Sequence, residues 1–232
     1  MSASSTVTRQ QSAAPIAPSA HDLAFSMLCA DRLASRLPPD DLHHLADIAL
    51  ADGRAQADCA ALQWGRDPCE IAAHLAIPVI DCWSNGGYGT TVVFAEYVDR
   101  PLHIVLYRHA IADLDRRMAD STLRDALPDT RCGPIFLAHE LYHHLDRNAL
   151  NGSLTQRHRF VLFQVGTWRW TSALATLEEI AAGSFAQTLL QLPFHPRLIE
   201  LVCLLDGRAD HTSSITASGR TVNPHSEHST TS

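Results

Sequence analysis

The chain has 232 residues, 46% of them apolar, enough for one sizeable core. Its net charge is −7, and its 18 basic residues are all Arg with no basic run; this argues against binding a nucleic-acid backbone, which needs clustered cations. No stretch approaches 18 consecutive apolar residues, so no membrane-spanning helix is expected.

Residues 1–20 lack an apolar run and read as a disordered tail rather than a secretory leader. Helical apolar spacing follows over 21–36 and 40–64 (Leu42, Leu45, Ile48, Ala49), broken at Pro38-Pro39. Five Asp against one Arg in 40–64 would repel phosphate, so this is no DNA-recognition helix. The run "DPCEIAAHL" predicts a short helix with Asp67 as N-cap and Pro68 at its first position. A strand at "AIPVIDCW" and a turn at "SNGGYG" come next. Two β-rich runs, 90–98 and 102–107, are joined by Asp99-Arg100-Pro101 as a hairpin. Helices are expected over 108–118, 133–147, 157–165, 172–191 and 196–206, before a second disordered tail at 208–232. Helices, a small antiparallel sheet, then helices describe a single α+β domain over 21–207, with a helical part at 21–66 and a core at 67–207. The six cysteines form no Cys-x-x-Cys pair, which excludes a zinc ribbon and favours reduced thiols in a cytoplasmic protein.

The chemistry concentrates in "AHELYHHLD". His139-Glu140-Leu141-Tyr142-His143 is an H-E-x-x-H pattern, and i and i+4 on a helix bring both imidazoles to one face, where they can share a metal ion. From the His and Glu frequencies (14/232, 7/232, 14/232) about 0.025 such matches are expected by chance, so context matters. Gly133-Pro134 can open a helix, "IFLA" supplies its apolar turns, and Asn151-Gly152 marks a stop soon after the helix ends. The bland alternative is a solvated polar stripe. Zn²⁺ suits two imidazoles and a carboxylate, with a position left for water, and Glu140 stands where it can take a proton from that water.

A third ligand must come from a short supply, because the chain has only seven Glu. "LEEIAAGSFAQTLLQLP" offers Glu178 and Glu179. The positions i+3, i+4 and i+7 from Glu179 are Ala182, Gly183 and Ala186, a small face that allows close approach to the His139/His143 helix. Thr176-x-x-Glu179 also matches a capping box, so Glu179 has two legible uses. Beside H-E-x-x-H the ligand is favoured.

These two segments together resemble the ImmA/IrrE-type zinc metallopeptidases, a gluzincin-like family with an "AHE-x-x-H" helix followed by an "E-x-x-A-x-x-F-A-x-x-L-L-x-x-P" helix. Here the second pattern runs from Glu179 through Ala182, Phe185, Ala186, Leu189 and Leu190 to Pro193. The resemblance spans about residues 67–195 and is specific at the two motif helices. It implies zinc held by His139, His143 and Glu179, Glu140 as catalytic base, and a protein substrate such as a helix-turn-helix repressor. Tyr142 stands where many members have Gly. Gly183 stands where many have Asn, which removes a hydrogen-bond partner one turn from Glu179. A rival reading is a metal-binding regulatory module without hydrolytic activity.

The supporting residues carry weaker expectations. Asp146 could orient His143 or be a solvated charge; Tyr142, Tyr107 and His195 are candidate donors to a developing oxyanion. Phe160, Phe163, Trp168 and Trp170 read as core or groove wall. In zincin-like peptidases an edge strand binds extended substrate, and either run of the 90–107 hairpin could serve.

Overall fold

In the computed structural model, which describes residues 18–88, 91–120 and 131–199, helix α1 (Ala20–Ala30) starts at a capping box between Ser19 and Asp22. Helix α2 (Pro39–Trp64) starts with Pro39 in its first turn, followed by Asp40 and Asp41, and stops at Gly65, whose φ of 88° a residue with a Cβ rarely adopts. The short α3 (Pro68–His74) is capped as expected, the Asp67 carboxylate accepting from the Cys69 N–H at 2.8 Å.

The strands are β1 (Val79–Cys82), β2 (Gly87–Tyr88), β3 (Thr91–Val92), β4 (Ala95–Val98) and β5 (His103–Tyr107). The run expected at 90–98 is therefore two strands. β3 folds back on β2 as a small ribbon, and β4 pairs antiparallel with β5 as the expected hairpin. β1 pairs with β5 in parallel, so the main sheet is mixed, in the order β1-β5-β4, with β5 central and β4 at an edge. This edge settles which hairpin strand is open to an added strand.

Helices α4 (Arg108–Asp120) and α5 (Cys132–Arg147) agree with expectation to within two residues. The helix expected over 157–165 is not formed. Only α6 (Leu154–Arg157) is helical there, and β6 (Phe160–Val165) pairs with β7 (Trp168–Ser172) as an isolated hairpin. Alternating β-branched and aromatic residues flank the two-residue loop Gly166-Thr167, with Gly166 at φ 58°, and this hairpin signal outweighs the helical spacing. Helix α7 (Thr176–Leu189) is shorter than the 172–191 expected: Ser172 ends β7, and residues 173–175 link that strand to the helix. Of the helix expected over 196–206, residues 197–199 are helical, and the rest lies outside the described residues, as do 1–17 of the first tail and all of 208–232.

The core is a helix stack beside the sheet. Ala46, Ala49, Leu50 and Ala57 of α2 are buried against Ile180, Ala181 and Phe185 of α7, with Leu137 and Leu141 of α5 alongside. Gly53 makes the closest approach possible: a Cβ there would lie 2.1 Å from the Ala181 carbonyl oxygen. Ser184 Oγ donates across the same contact to the Leu50 carbonyl at 2.8 Å. The Arg66 guanidinium closes the far end of α7, donating to the Thr188 and Leu189 carbonyls at 2.9 and 3.1 Å. Helix α7 is thus held along its length, and so is the carboxylate it carries.

Candidate metal centre

Helices α5 and α7 bring His139, His143 and Glu179 together, with one potential ligand atom from each lying within 4.8 Å of the others. His139 Nε2 is 3.2 Å from one Glu179 oxygen and His143 Nε2 is 3.6 Å from the other. Both imidazoles share a helix face one turn apart, their ring centroids 5.0 Å apart. His143 is 4% exposed, and its Nε2 lacks a hydrogen-bond partner. A buried nitrogen without a partner is costly in a resting chain and natural in a ligand. Two imidazoles and one carboxylate converging in this way can hold a metal ion.

The fate of Glu179 follows from where α7 begins. Ala175 is the N-cap and Thr176 the first helical residue, so Glu179 falls one position past the place a capping box requires. The Thr176 hydroxyl instead donates to Asp31 at the end of α1 (2.7 Å), leaving Glu179 free for the histidines. Glu178 points away and accepts from the Thr155 hydroxyl. The choice between the two glutamates is decided by helix phase.

Electrostatics match a ligand cluster. Burial pushes the Glu179 carboxyl up, but His139 and His143 outweigh it and hold the group below its usual value. Burial presses His139 down, while its bond to Glu179 and the neighbouring Glu179 and Glu140 charges win and raise it. His143 is lowered to about 4, chiefly by burial, so it is neutral and able to bind metal near pH 7.

Glu140 is 1% exposed, and its Oε2 has no partner. Burial pushes its carboxyl up to about 7; His139 and a hydrogen bond from the Tyr97 backbone on β4 oppose this, and Glu179 adds to it. A carboxyl poised near 7 suits proton transfer at neutral pH.

A cavity of about 310 Å³ opens onto these groups. Its walls include His139, Glu140, Glu179 and His195, with Phe94 and Ile135 among its apolar lining. The start of β4 also borders it through Ala95. The Phe94 carbonyl accepts from the Tyr107 N–H on β5 (2.9 Å). Alternate residues of an antiparallel strand face its partner, so Ala95 and Tyr97 turn their backbone groups to the unpaired edge, where the Tyr97 backbone meets Glu140.

The other residues singled out in the sequence divide clearly. Tyr142 is fully buried and donates to Asp52 Oδ2 on α2 (2.9 Å), so it is a strut between helices and no oxyanion donor. Tyr107 donates to Glu96 (3.1 Å). Asp146 is 1% exposed and turns its carboxylate to the Leu154 N–H (2.8 Å) and Arg157 (3.7 Å), so it neither orients His143 nor sits in solvent. His195 does face the site. Burial lowers it to about 4, against an upward pull from the Ile180 backbone. Its ring occupies the space beside Gly183, where a Cβ would come within 2.7 Å of it. The small face of α7 therefore admits His195 at Gly183, and the closest helix approach is made to α2. Phe163, Trp168 and Trp170 are 56%, 81% and 62% exposed, not core, because their hairpin stands apart from the helix stack; Phe160 alone packs inward. Sequence reasoning missed Asp52, Gly53 and Arg157, whose partners lie in distant segments. Among the described residues, no helix is long and apolar enough to cross a membrane. No family model matches this chain, and no curated protein or solved structure matches it.

Proposed function

We propose that this chain is a zinc-dependent peptidase of the ImmA/IrrE type, acting in the cytoplasm on a protein substrate such as a repressor-type regulator. The observation that carries the reading is the convergence of His139, His143 and Glu179 beside a buried, partly unpartnered Glu140 on the wall of one cavity. Two imidazoles and a carboxylate form a donor set that suits Zn²⁺. When bound, the ion supplies Lewis acidity, polarising a carbonyl and lowering the pKa of water.

The chain's own groups do the rest. Glu140 accepts a proton from the attacking water and passes it to the leaving amine, a shuttle its raised pKa favours. The substrate backbone lies along the open edge of β4, hydrogen-bonding to Ala95 where that strand meets the cavity. Phe94 and Ile135 give an apolar wall to receive a side chain next to the scissile bond.

The test is Glu140→Gln in the zinc-loaded full chain, with fluorescein-labelled casein as the substrate probe. Expected is one zinc per chain in both proteins and hydrolysis lost at least about a hundredfold in the variant. Wild-type hydrolysis by the variant would overturn the base assignment. Zinc retained with no hydrolysis by the wild type, of casein or of a co-encoded repressor, would favour a metal-binding regulatory module.

A further inference from the structure

Among the described residues, His195 is the one buried polar group on the cavity wall that the proposed reaction has not used. It is 3% exposed, and its Nε2 has no hydrogen-bond partner. Its Nδ1 accepts the Arg197 backbone N–H at 3.2 Å, which places the proton of the neutral ring on Nε2. The ring is then a donor with nothing to receive it. The Ile180 carbonyl lies nearby but does not meet Nε2 with hydrogen-bonding geometry. Burying such a donor costs free energy that nothing in the resting chain offsets.

The surroundings hold the ring in this position. Phe194 and Ile199 are buried on either side of it, and Pro193 and Pro196 stiffen the segment between them. On α7, one turn beyond Glu179, an ideal Cβ at Gly183 would lie 2.7 Å from His195 Cε1 and 2.9 Å from Nε2. Any residue larger than glycine would displace the imidazole. The helix leaves a gap, and a loop histidine fills it.

We infer that His195, seated over Gly183, donates through Nε2 to the carbonyl oxygen of the bound substrate, an assignment that rests on the peptidase reading. The bond strengthens as that oxygen gains negative charge, so the donor favours the transition state over the ground state. Tyr107 and Tyr142, the other donors considered, are committed to Glu96 and Asp52.

The test uses the full chain loaded with Co²⁺, and acetohydroxamate as a probe carrying a carbonyl oxygen, followed by cobalt absorption. His195→Leu is expected to weaken acetohydroxamate at least about tenfold while leaving Co²⁺ affinity unchanged. His195→Gln, which keeps a donor, recovers most of the loss. Gly183→Ala weakens the probe in the wild-type background and adds less than about twofold in the His195→Leu background, because the two act through one contact. If His195→Leu does not fold, the Gly183→Ala and His195→Gln proteins decide alone: weakening by the first with near-normal binding by the second supports the donor, and any other pattern overturns it. Wild-type binding by His195→Leu, equal loss in the Leu and Gln variants, or failure of the wild-type cobalt protein to bind the probe would each overturn the assignment. Those results leave the peptidase reading to the casein assay. Failure to bind Co²⁺ or Zn²⁺ at all would remove the peptidase reading first.

Discussion

The motif helices and the hairpin between them behave in opposite ways. Helices α5 and α7, with the inner face of α2 behind them, bury their large apolar side chains wholly or in part and tie down even their polar groups, as in Tyr142–Asp52 and Ser184–Leu50. The β6–β7 hairpin that connects them leaves Phe163, Val165, Trp168 and Trp170 exposed, with only Phe160 packed against the core. The contrast teaches where rigidity is placed. The elements carrying His139, His143 and Glu179 are fixed by contacts distant in sequence, and the connection between them contributes little to holding the site.

Substitutions can break this contrast. Gly53→Ala should have the largest effect on the fold, because its Cβ would meet helix backbone at 2.1 Å, where no side chain can yield. A loss of about 3 kcal/mol or more is expected in urea unfolding. An unchanged midpoint would show that α2 and α7 are less constrained than described.

Asp146→Asn comes next, with a dependence on pH. Burial, with Glu178 and Asp52 nearby, raises the Asp146 carboxyl from 3.8 to about 6, against the Leu154 N–H and Arg157. Between those values the folded chain holds a proton that the unfolded chain has released, so this group costs stability as pH rises from about 4 to 6. The variant should therefore gain on the wild type across that window, by on the order of 1–3 kcal/mol, and hold the gain at higher pH. A difference that is flat with pH would contradict this.

Tyr142→Phe is smaller. It removes one donor to Asp52, which keeps Gln56 at 3.0 Å and Arg157 at 2.8 Å, so a loss of about 1 kcal/mol is expected in thermal unfolding. Smallest is the double change Trp168→Ser with Trp170→Ser. Both side chains are exposed, and stability should move by no more than about 0.5 kcal/mol with zinc affinity unchanged. A large loss would show that the hairpin supports the site after all.

Legibility in the sequence follows the same division. H-E-x-x-H was readable because both histidines and Glu140 sit within about one helix turn of each other. Glu179 was picked out by its small-residue neighbours, although that face admits His195 at Gly183, and only the start of α7 at Thr176 turns Glu179 rather than Glu178 to the histidines. The short helix at Pro68 and the β4–β5 hairpin announced themselves through local capping and turn residues. The parallel pairing of β1 with β5 had no local signal, since it joins strands more than 20 residues apart. The helix expected at 157–165 does not form, because the two-residue Gly166-Thr167 loop pairs β6 with β7 in its place. Residue type points Phe163, Trp168 and Trp170 to a core or groove wall, but burial depends on what packs opposite, and all three are exposed. The pairing of Gly183 with His195 joins a helix to the loop after it, and only the folded chain displays it.

The central claim, that α5 and α7 together build one metal site, is tested most directly by zinc titration of the purified full chain beside Glu179→Ala. One zinc per wild-type chain, with affinity falling as pH falls and His139 retains its proton, is expected. The variant should lose at least about a hundredfold in affinity. Equal stoichiometry and affinity in the two proteins would contradict it.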